Sequence, residues 1–187
     1  MTLKVRDCTA ADLVAVQEIY SFEVTNGLAS FETQPPEQAE MLRRRRDILS
    51  KGLPFIVAEL HGKVVGYSYA SPYRHRAGYF PSIEDSVYVS PAARGQRIGR
   101  ALLSNLIDRC ELGDWRQMVA VIGNSANTGS IRLHLGLGFQ EVGILKSIGF
   151  KHGIWVDTVI LQRSLGKGDK TRPVMNGSLQ TPHPETA

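Results

Sequence analysis

The chain has 187 residues, of which 42% are hydrophobic and 21% are charged, with a formal net charge of +4. These values are typical of one globular domain with room for a sizeable core. They exclude a protein built on apolar membrane helices, because no apolar run approaches the roughly 20 residues that a span needs. The small excess of positive charge suits an anionic ligand or a nucleic acid and does not distinguish between these two kinds of partner.

The first half of the chain predicts a short strand, two helices and a β-hairpin. The helix signals are a capping box at residues 9–12 and a Pro-Pro pair at 35–36, since proline is favoured in the first helical turn. A His-Gly turn at 61–62 between two apolar β-rich runs predicts the hairpin. The predicted elements are a strand at 3–6, a helix from 9, a helix from 35 to about 52, and strands at 54–60 and 63–70.

The second half alternates strands with helices. The predicted elements are a strand at 83–89, a helix at 98–110, a strand at 118–122, a helix at 127–135, and strands at 139–145 and 155–162. From residue 166 the sequence is polar, rich in Gly, Pro and Thr, and without periodicity. This composition predicts a disordered tail over residues 166–187.

The two cysteines, Cys8 and Cys110, are far apart in the sequence. No secretory signal pattern is recognised, and no internal repeat is found. We therefore expect a cytoplasmic protein.

Residues 84–103, EDSVYVSPAARGQRIGRALL, join a strand with two acids to a helix through a loop of Arg, Gly and Gln. The first N–H groups of such a helix lack partners, and together with the helix dipole they suit a phosphate or pyrophosphate. Gly95 and Gly99 allow a close approach of the backbone, and Arg94 and Arg100 add positive charge. An ordinary strand-to-helix connection fits this stretch equally well when it is considered alone.

Two common nucleotide motifs are absent from this loop. It lacks the Gly-Lys-Ser/Thr ending of a P-loop and the Gly-x-Gly-x-x-Gly spacing of a dinucleotide fold. Residues 94–99, Arg-Gly-Gln-Arg-Ile-Gly, instead resemble the acetyl-CoA loop of the GNAT superfamily of N-acetyltransferases, whose pattern is Arg/Gln-x-x-Gly-x-Gly/Ala. Arg97 stands where that pattern has its first glycine.

The resemblance narrows to the phosphinothricin N-acetyltransferase family, which includes acetylators of methionine sulfoximine and methionine sulfone. The segments that carry it are residues 19–32, 73–89, 127–139 and 149–157. It implies an α/β (α+β) GNAT fold over residues 1–165, with a mixed central sheet of about six to seven strands flanked by helices. It also implies acetyl-CoA as cosubstrate and a homodimer, in which the positions around Phe31 and Trp155 are candidates for subunit contact or for closure of the active site. No metal site is expected.

The resemblance places the coenzyme along one strand and the following loop. The pantetheine arm would pair with the strand backbone like an added strand, and the loop would hold the pyrophosphate. Asn127 matches an asparagine that contacts the coenzyme arm in relatives, and it is equally suited to a simple helix cap. The expected coenzyme-binding residues are Val87, Tyr88, Val89, Arg94, Gly95, Gln96, Arg97, Ile98, Gly99, Arg100 and Asn127.

The expected reaction is direct attack of an α-amine on the thioester of acetyl-CoA. A protonated amine cannot attack, so a base is needed, and the resemblance assigns Glu84 to this role. Strand alternation would point Asp85 away from Glu84, so that only one of these acids faces the cleft. His134 is the secondary candidate, as an acid for the leaving thiolate. The alternative for Glu84 is an exposed acid on a strand without a chemical role, and the alternative for His134 is a histidine that only packs within its helix.

The expected acceptor is a small amino acid analogue of the phosphinothricin, methionine sulfoximine or methionine sulfone type, which makes resistance to such compounds the expected role. Cationic side chains could pair with its carboxylate or its anionic side chain, or they could be solvated surface charges. The expected substrate-side residues are Phe31, Arg74, Arg76, Ala77, Gly78, Tyr79, Glu84, Asp85, Ser86, Lys151 and Trp155.

Two other functions stay open at this point. A protein, peptide or polyamine acetyltransferase of the same fold would need an open groove rather than a closed pocket. The four arginines at residues 43–46 are compatible with a nucleic-acid-binding module. However, they lie inside a helix, and no aromatic residues that could stack on bases alternate with them. We therefore expect neither a nucleic acid nor a membrane as partner.

Overall fold

The computed structural model describes residues 3–174, which form four α-helices and seven strands. The helices are α1 (Leu13–Asn26), α2 (Gln38–Ser50), α3 (Ile98–Glu111) and α4 (Thr128–Leu135). The strands are β1 (Lys4–Asp7), β2 (Phe55–Leu60), β3 (Lys63–Pro72), β4 (Ser82–Val89), β5 (Gln117–Gly123), β6 (Gln140–Lys151) and β7 (Ile154–Ser164). The expected α/β (α+β) class and the mixed sheet of six to seven strands are confirmed.

The sheet contains one parallel strand pair, and that pair separates partway along its length. The strand order is β1-β2-β3-β4-β5-β7-β6, and all neighbours are antiparallel except β4 and β5. Pairing of β4 with β5 ends at Asp85 and Ala120, although β4 continues to Val89 and β5 to Gly123. We call this divergence, between residues 86–89 of β4 and 121–123 of β5, the fork.

Helices cover both faces of the sheet. Gly66 of β3 faces α3, since a Cβ atom there would lie 3.0 Å from Leu102 Cδ1. Tyr67 points to the opposite face and stacks on Tyr88, whose ring meets Tyr20 of α1 edge-on. Helix α1 therefore packs on one face of the sheet and α3 on the other. The side chains between each helix and the sheet form a core that excludes water. No helix within residues 3–174 is long and apolar enough to cross a membrane.

The start of the first helix is fixed by Asp12. Its carboxylate accepts hydrogen bonds from the Thr9 backbone N–H at 2.7 Å and the Thr9 hydroxyl at 2.8 Å, so the capping interaction expected from the sequence forms. Arg6 of β1 donates two hydrogen bonds to the same carboxylate. The hydrogen bond from Arg6 is the main reason that the pKa of Asp12 lies well below its usual range. The ion pair between Arg6 and Asp12 therefore links β1 to the start of α1.

The helix predicted from residue 9 starts with a 3-10 turn at Ala10–Asp12, and α1 itself begins at Leu13. Several strand ends differ from the predictions by one or two residues, and two other boundaries differ by more. Helix α2 begins at Gln38 rather than at the Pro-Pro pair, because Glu37 still has an extended backbone. The strand predicted at 139–145 continues to Lys151, because Ser147 adopts a positive φ of 49° inside a bulge and β6 resumes beyond it. Asp157 of β7 stabilises this bulge by accepting the Ser147 backbone N–H at 2.9 Å.

The end of the predicted domain lies just after β7. Residues 166–170 form turns, with the Gly168 N–H bonded to the Leu165 carbonyl at 2.9 Å. The remainder of the predicted disordered tail, residues 175–187, lies outside the described residues. The domain boundary at 165 and the disorder of the tail therefore stay predictions.

Candidate active site

A cavity of about 780 Å³ enters the fork from the side of α3 and α4. Its volume is within the range of small-molecule sites, ~300–1,000 Å³. Its wall is formed by α1 with the loop that follows it, the end of β4, the start of α3 with the loop before it, and the β5–α4 connection with α4. Except for Gln96, every residue that the sequence assigned to the coenzyme borders this cavity.

The loop at the start of α3 leaves backbone N–H groups free at the cavity wall. Ala101 N–H bonds back to the Arg97 carbonyl at 3.1 Å, and no side-chain cap is formed by Arg97, the N-cap residue. The preceding N–H groups of the first turn therefore have no helical partner. Gly95 and Arg97 have positive φ values of 77° and 61°. A left-handed conformation costs a residue with a Cβ about 1–2 kcal/mol, which explains why a glycine suits the position of Arg97.

Three polar side chains around this loop contact other groups of the protein. Arg94 donates to Glu23 of α1 at 2.9 Å, and Arg100 donates to the Gly136 carbonyl at 3.1 Å. Gln96 makes a long contact of 3.4 Å with the Ala92 carbonyl and does not line the cavity. Arg100 therefore keeps a positive charge at the cavity rim, whereas the charge of Arg94 is balanced by Glu23, which also lines the cavity, and Gln96 points elsewhere.

Asn127 is both a helix cap and a wall residue. Its side-chain oxygen accepts the Ser130 N–H at 3.2 Å at the start of α4, and it borders the cavity. The connection before it is held by Asp157, whose carbonyl accepts the Asn124 N–H at 2.8 Å and whose carboxylate accepts the Ser125 hydroxyl at 2.8 Å. The role of Asp157 has no signal in the local sequence, because these bonds join segments about 30 positions apart.

A smaller cavity of about 200 Å³, which we call the inner cavity, lies at the base of the fork. Glu84, Asp85 and Ser86 border it together with Phe31 and His134. This differs from the expectation that only one of the two acids faces the cleft. The cleft passes through the sheet where β4 leaves β5, so side chains from both faces of β4 reach it.

Glu84 is half-buried and has a perturbed acidity. Burial raises its pKa to about 7, with a further contribution from the negative charge of Asp85, while the Arg74 guanidinium acts in the opposite direction. A carboxyl group with a pKa near neutrality can take a proton and release it under ordinary conditions. This is the acidity that a general base at this position needs.

His134 uses both of its ring nitrogens inside the protein. Nδ1 lies 2.7 Å from the Ser130 carbonyl, and Nε2 lies 2.9 Å from Asp85 Oδ2. A carbonyl only accepts, so Nδ1 carries a proton. Burial alone would lower the pKa of His134, but the hydrogen bond and charge of Asp85 outweigh burial and raise that pKa. The expected acid for a leaving thiolate is thus directed at Asp85.

The structure gathers only part of the expected substrate side. Phe31, Glu84, Asp85 and Ser86 meet at the inner cavity. The residues that do not line it are Arg74, Arg76, Ala77, Gly78, Tyr79, Lys151 and Trp155. The first five of these are exposed on the loop between β3 and β4, where Arg74 lies 4.9 Å from the centre of the Tyr73 ring.

Lys151 and Trp155 have different surroundings from those expected. Lys151 is 2% exposed and donates to the Ser30 carbonyl at 2.7 Å, so it anchors the loop that carries Phe31. Trp155 is 66% exposed and packs edge-on against Phe150. Neither side chain reaches the inner cavity, because Lys151 is directed under the loop and Trp155 lies on the β6–β7 surface.

Several wall residues were missed by the sequence analysis. They are Ile19, Glu23, Asn26, Leu28 and Ala29 from α1 and its loop, and Gly123 and Asn124 from the end of β5. A Cβ atom on Gly123 would collide with the Leu28 carbonyl oxygen, so glycine permits this close crossing. The sequence holds no local signal for it, because the two segments are far apart along the chain.

Residues 16–139 match the model of the acetyltransferase (GNAT) family. The match includes most of α1, the fork, the loop at the start of α3, and α4. The chain belongs to this family.

Within this family, the chain is similar to acetyltransferases that are named for small amino acid analogues. The chain is 52% identical to a phosphinothricin N-acetyltransferase of Alcaligenes faecalis, over 87% of this chain and 82% of that protein. It is 36% identical to the L-methionine sulfoximine/L-methionine sulfone acetyltransferase of Salmonella typhimurium strain LT2, over 88% and 95%. A crystal structure of a GNAT phosphinothricin acetyltransferase from Sinorhizobium meliloti, in complex with acetyl-CoA, superposes with a TM-score of 0.89 at 49% identity, covering 93% and 94%.

Proposed function

We propose that this enzyme transfers the acetyl group of acetyl-CoA to the α-amine of a small amino acid analogue of the phosphinothricin, methionine sulfoximine or methionine sulfone type. The observation that carries the proposal is the fork, where a large cavity meets a small one that contains Glu84. The names of the relatives support the same acceptor class.

The coenzyme is proposed to lie in the fork. Residues 87–89 of β4 have no partner in β5, so their backbone groups suit the amides of the pantetheine arm. The loop from Gly95 to Arg100, which includes the first turn of α3, suits the pyrophosphate because it offers free N–H groups and the cations of Arg97 and Arg100 at the cavity. Asn127 borders the same cavity and completes the proposed wall.

Coenzyme binding is expected to be lost in Gly99→Glu. A Cβ atom at this position would already lie 3.3 Å from Leu133 Cδ2, and the added carboxylate would repel the pyrophosphate. Calorimetric titration with acetyl-CoA provides the measurement. Leu112→Glu, which adds the same charge at an 89% exposed position at the other end of α3, is the control and should bind normally. Unchanged affinity in a folded Gly99→Glu variant would contradict the assignment.

The proposed chemistry is a direct transfer. Glu84 takes a proton from the acceptor ammonium, and the free amine attacks the thioester carbon. The carbon–sulfur bond then breaks, and the coenzyme A thiolate takes up the second proton that the attacking nitrogen loses, so that the products are an amide and free coenzyme A. Neither cysteine is suited to an acetyl-enzyme intermediate. Both are buried, and burial raises the pKa of Cys8 to about 11 and that of Cys110 to about 12.

Replacement of the base should affect turnover more than binding. Glu84→Gln is expected to lower kcat by about 10- to 1,000-fold and to leave the affinity for the coenzyme nearly unchanged. The loss of a general base typically lowers the rate by ~100- to 10,000-fold, so this range lies at and below the lower end of that effect. Wild-type kcat/KM should fall as the pH drops below about 7, because Glu84 becomes protonated there. This acid limb should be absent from the Glu84→Gln profile. Full activity of the variant at neutral pH would show that another group is the base.

The acceptor is proposed to bind on the side of Phe31, Glu84 and Ser86. The exposed loop with Arg74, Arg76 and Tyr79 lies beside this region, since Arg74 is near enough to lower the pKa of Glu84. Closure of the loop on a bound acceptor would bring its cations to a carboxylate or to a tetrahedral anionic group. A closed polar pocket of this kind rejects acceptors that leave its donors unpaired.

The acceptor assignment predicts a strong preference for methionine sulfone over methionine. The sulfone oxygens would pair with pocket donors that the thioether leaves unpaired, so kcat/KM should differ by roughly two orders of magnitude or more. Release of coenzyme A with each compound is the measurement. Equal efficiency, or a preference for peptides or polyamines, would contradict the proposed acceptor while leaving the acetyl transfer intact.

The nucleic-acid alternative receives little support from α2. Arg43 pairs with Glu40 and Asp47, while Arg44 pairs with Glu40 and with a second carboxylate from the loop after α1. Arg45 donates to the Cys8 carbonyl. Three arginines of the run are therefore bonded to groups of the protein itself, and we propose that no nucleic acid partner is involved.

We propose that two copies of the chain associate through the β6–β7 hairpin. Strand β6 is at the sheet edge, and a long edge strand is normally covered. Its exposed apolar side chains, together with those of β7, are Val142, Ile144, Leu145, Ile148, Phe150, Ile154 and Trp155. Phe31 lies against Gly149 of the same strand, so an interface here would adjoin the inner cavity. A second copy of this patch would supply a matching apolar surface.

Sedimentation velocity at micromolar concentration tests this association. The wild-type chain is expected to sediment as a dimer and Ile148→Glu as a monomer, because the new charge would be buried without a partner. Leu112→Glu should leave the dimer intact. A wild-type monomer, or an unaffected Ile148→Glu dimer, would contradict the proposed interface.

We further propose a cytoplasmic enzyme that confers resistance to amino acid analogues. The two free, buried cysteines suit a reducing compartment. Acetylation removes the ammonium charge of the analogue, and with it the group by which other proteins recognise an amino acid.

A further inference from the structure

Asp85 and His134 form a buried polar pair at the base of the fork. Their side chains are 2% and 4% exposed, and Asp85 Oδ2 lies 2.9 Å from His134 Nε2. The other carboxylate oxygen, Asp85 Oδ1, is buried without a hydrogen-bond partner in the described structure. A buried carboxylate oxygen normally has a partner, so the negative charge at Oδ1 stands out because no donor among the described residues offsets it.

The pair is held in place from two elements. Asp85 occupies the last paired position of β4 against β5, and His134 is fixed on α4 by the Ser130 carbonyl. The His134 ring also packs edge-on against Phe139, with 5.0 Å between ring centres. Because Nδ1 carries a proton, a charged imidazole can donate through Nε2 to the Asp85 carboxylate.

Both members of the pair line the same small cavity as Glu84. The other charged or titratable groups that face Glu84 are Arg74 on the β3–β4 loop and Tyr69 on β3. On the far side of the sheet, Cys110 of α3 lies within reach of the Asp85 charge. Strand β5 contributes Ala120 and Val121, which carry no charge. Asp85 is therefore the negative neighbour that acts on Glu84, and the charge of His134 does not offset it there, since His134 is not among the groups that shift the pKa of Glu84.

We propose that Asp85, held by His134, is a positioning residue for Glu84, supplying the fixed buried negative charge that makes Glu84 a proton acceptor suited to neutral pH. This inference rests on the proposed role of Glu84 as the base. The acidity of Glu84 agrees with it, since the charge of Asp85 adds to burial in raising the pKa. Two neighbouring carboxyl groups with different surroundings can in this way take different roles.

The direct test is the pH dependence of kcat/KM in Asp85→Asn. Asparagine removes the carboxylate charge beside Glu84 and retains the contact with His134, because its amide can donate to Nε2 of an imidazole that is then neutral, while Nδ1 still donates to the Ser130 carbonyl. The pKa of Glu84 should fall, so the acid limb should move to lower pH by about one unit. Asp114→Asn removes the same charge from an exposed position and should leave the limb in place.

The double variant Asp85→Asn/His134→Gln provides an independent comparison. Its acid limb should coincide with that of Asp85→Asn, because the Asp85 charge is already absent and His134 acts through it. Thermal unfolding of each variant separates a loss of stability from a change in acidity. A limb that stays at the wild-type pH in folded Asp85→Asn, or returns to it in the double variant, would overturn the inference.

The Glu84→Gln profile distinguishes this failure from a failure of the proposed base. If Glu84→Gln lacks the acid limb while Asp85→Asn leaves it unmoved, Glu84 is the base and only the role of Asp85 is wrong. If Glu84→Gln keeps the limb, another group titrates, and both proposals are overturned.

Discussion

The separation of β4 from β5 after Asp85 and Ala120 is the constraint on which the rest of the site depends. Two parallel strands that stay paired would use their backbone groups on each other and leave no opening. By diverging, they free the last residues of β4 and open a passage through the sheet. The cavity, the exposed strand backbone and the two acids at the base all follow from that single break.

The break is supported from both sides. Strand β5 continues to Gly123 with β7 as its antiparallel partner, while β4 continues to Val89 with β3. Each diverging strand therefore keeps one set of ladder hydrogen bonds, and only the edges that face each other are left free. A ligand with alternating amide donors and acceptors can replace the missing ladder. This explains how a sheet can contain a buried opening without losing its core.

Electrostatics at the base of the fork follow from the same geometry. Glu84 and Asp85 are adjacent residues that point to opposite faces, and the passage between the strands exposes both to one cavity. Burial destabilises the negatively charged form of both carboxyl groups, and the two groups respond to burial in different ways. Asp85 bonds to His134, whereas Glu84 has a pKa raised to about 7. The site thus combines one fixed charge with one group that can exchange a proton.

Much of this could be predicted from the sequence because the signals were local. The capping interaction of Asp12, the hairpin at residues 61–62 and the glycine-containing loop before α3 depend on neighbours in the chain. The Asp85–His134 bond, the burial of Lys151 under Ser30 and the crossing at Gly123 join residues that are 49, 121 and about 95 positions apart. Contacts of that kind have no local pattern. The length of β6 was missed for a related reason, because Asp157 stabilises the bulge at Ser147 from another strand.

A crystal structure of the chain with bound acetyl-CoA tests the central claim most directly. The account predicts that the pantetheine arm bonds to the backbone of residues 87–89, with the pyrophosphate at the first turn of α3 and the thioester beside Glu84. A coenzyme bound outside the fork, or a thioester remote from Glu84, would contradict it.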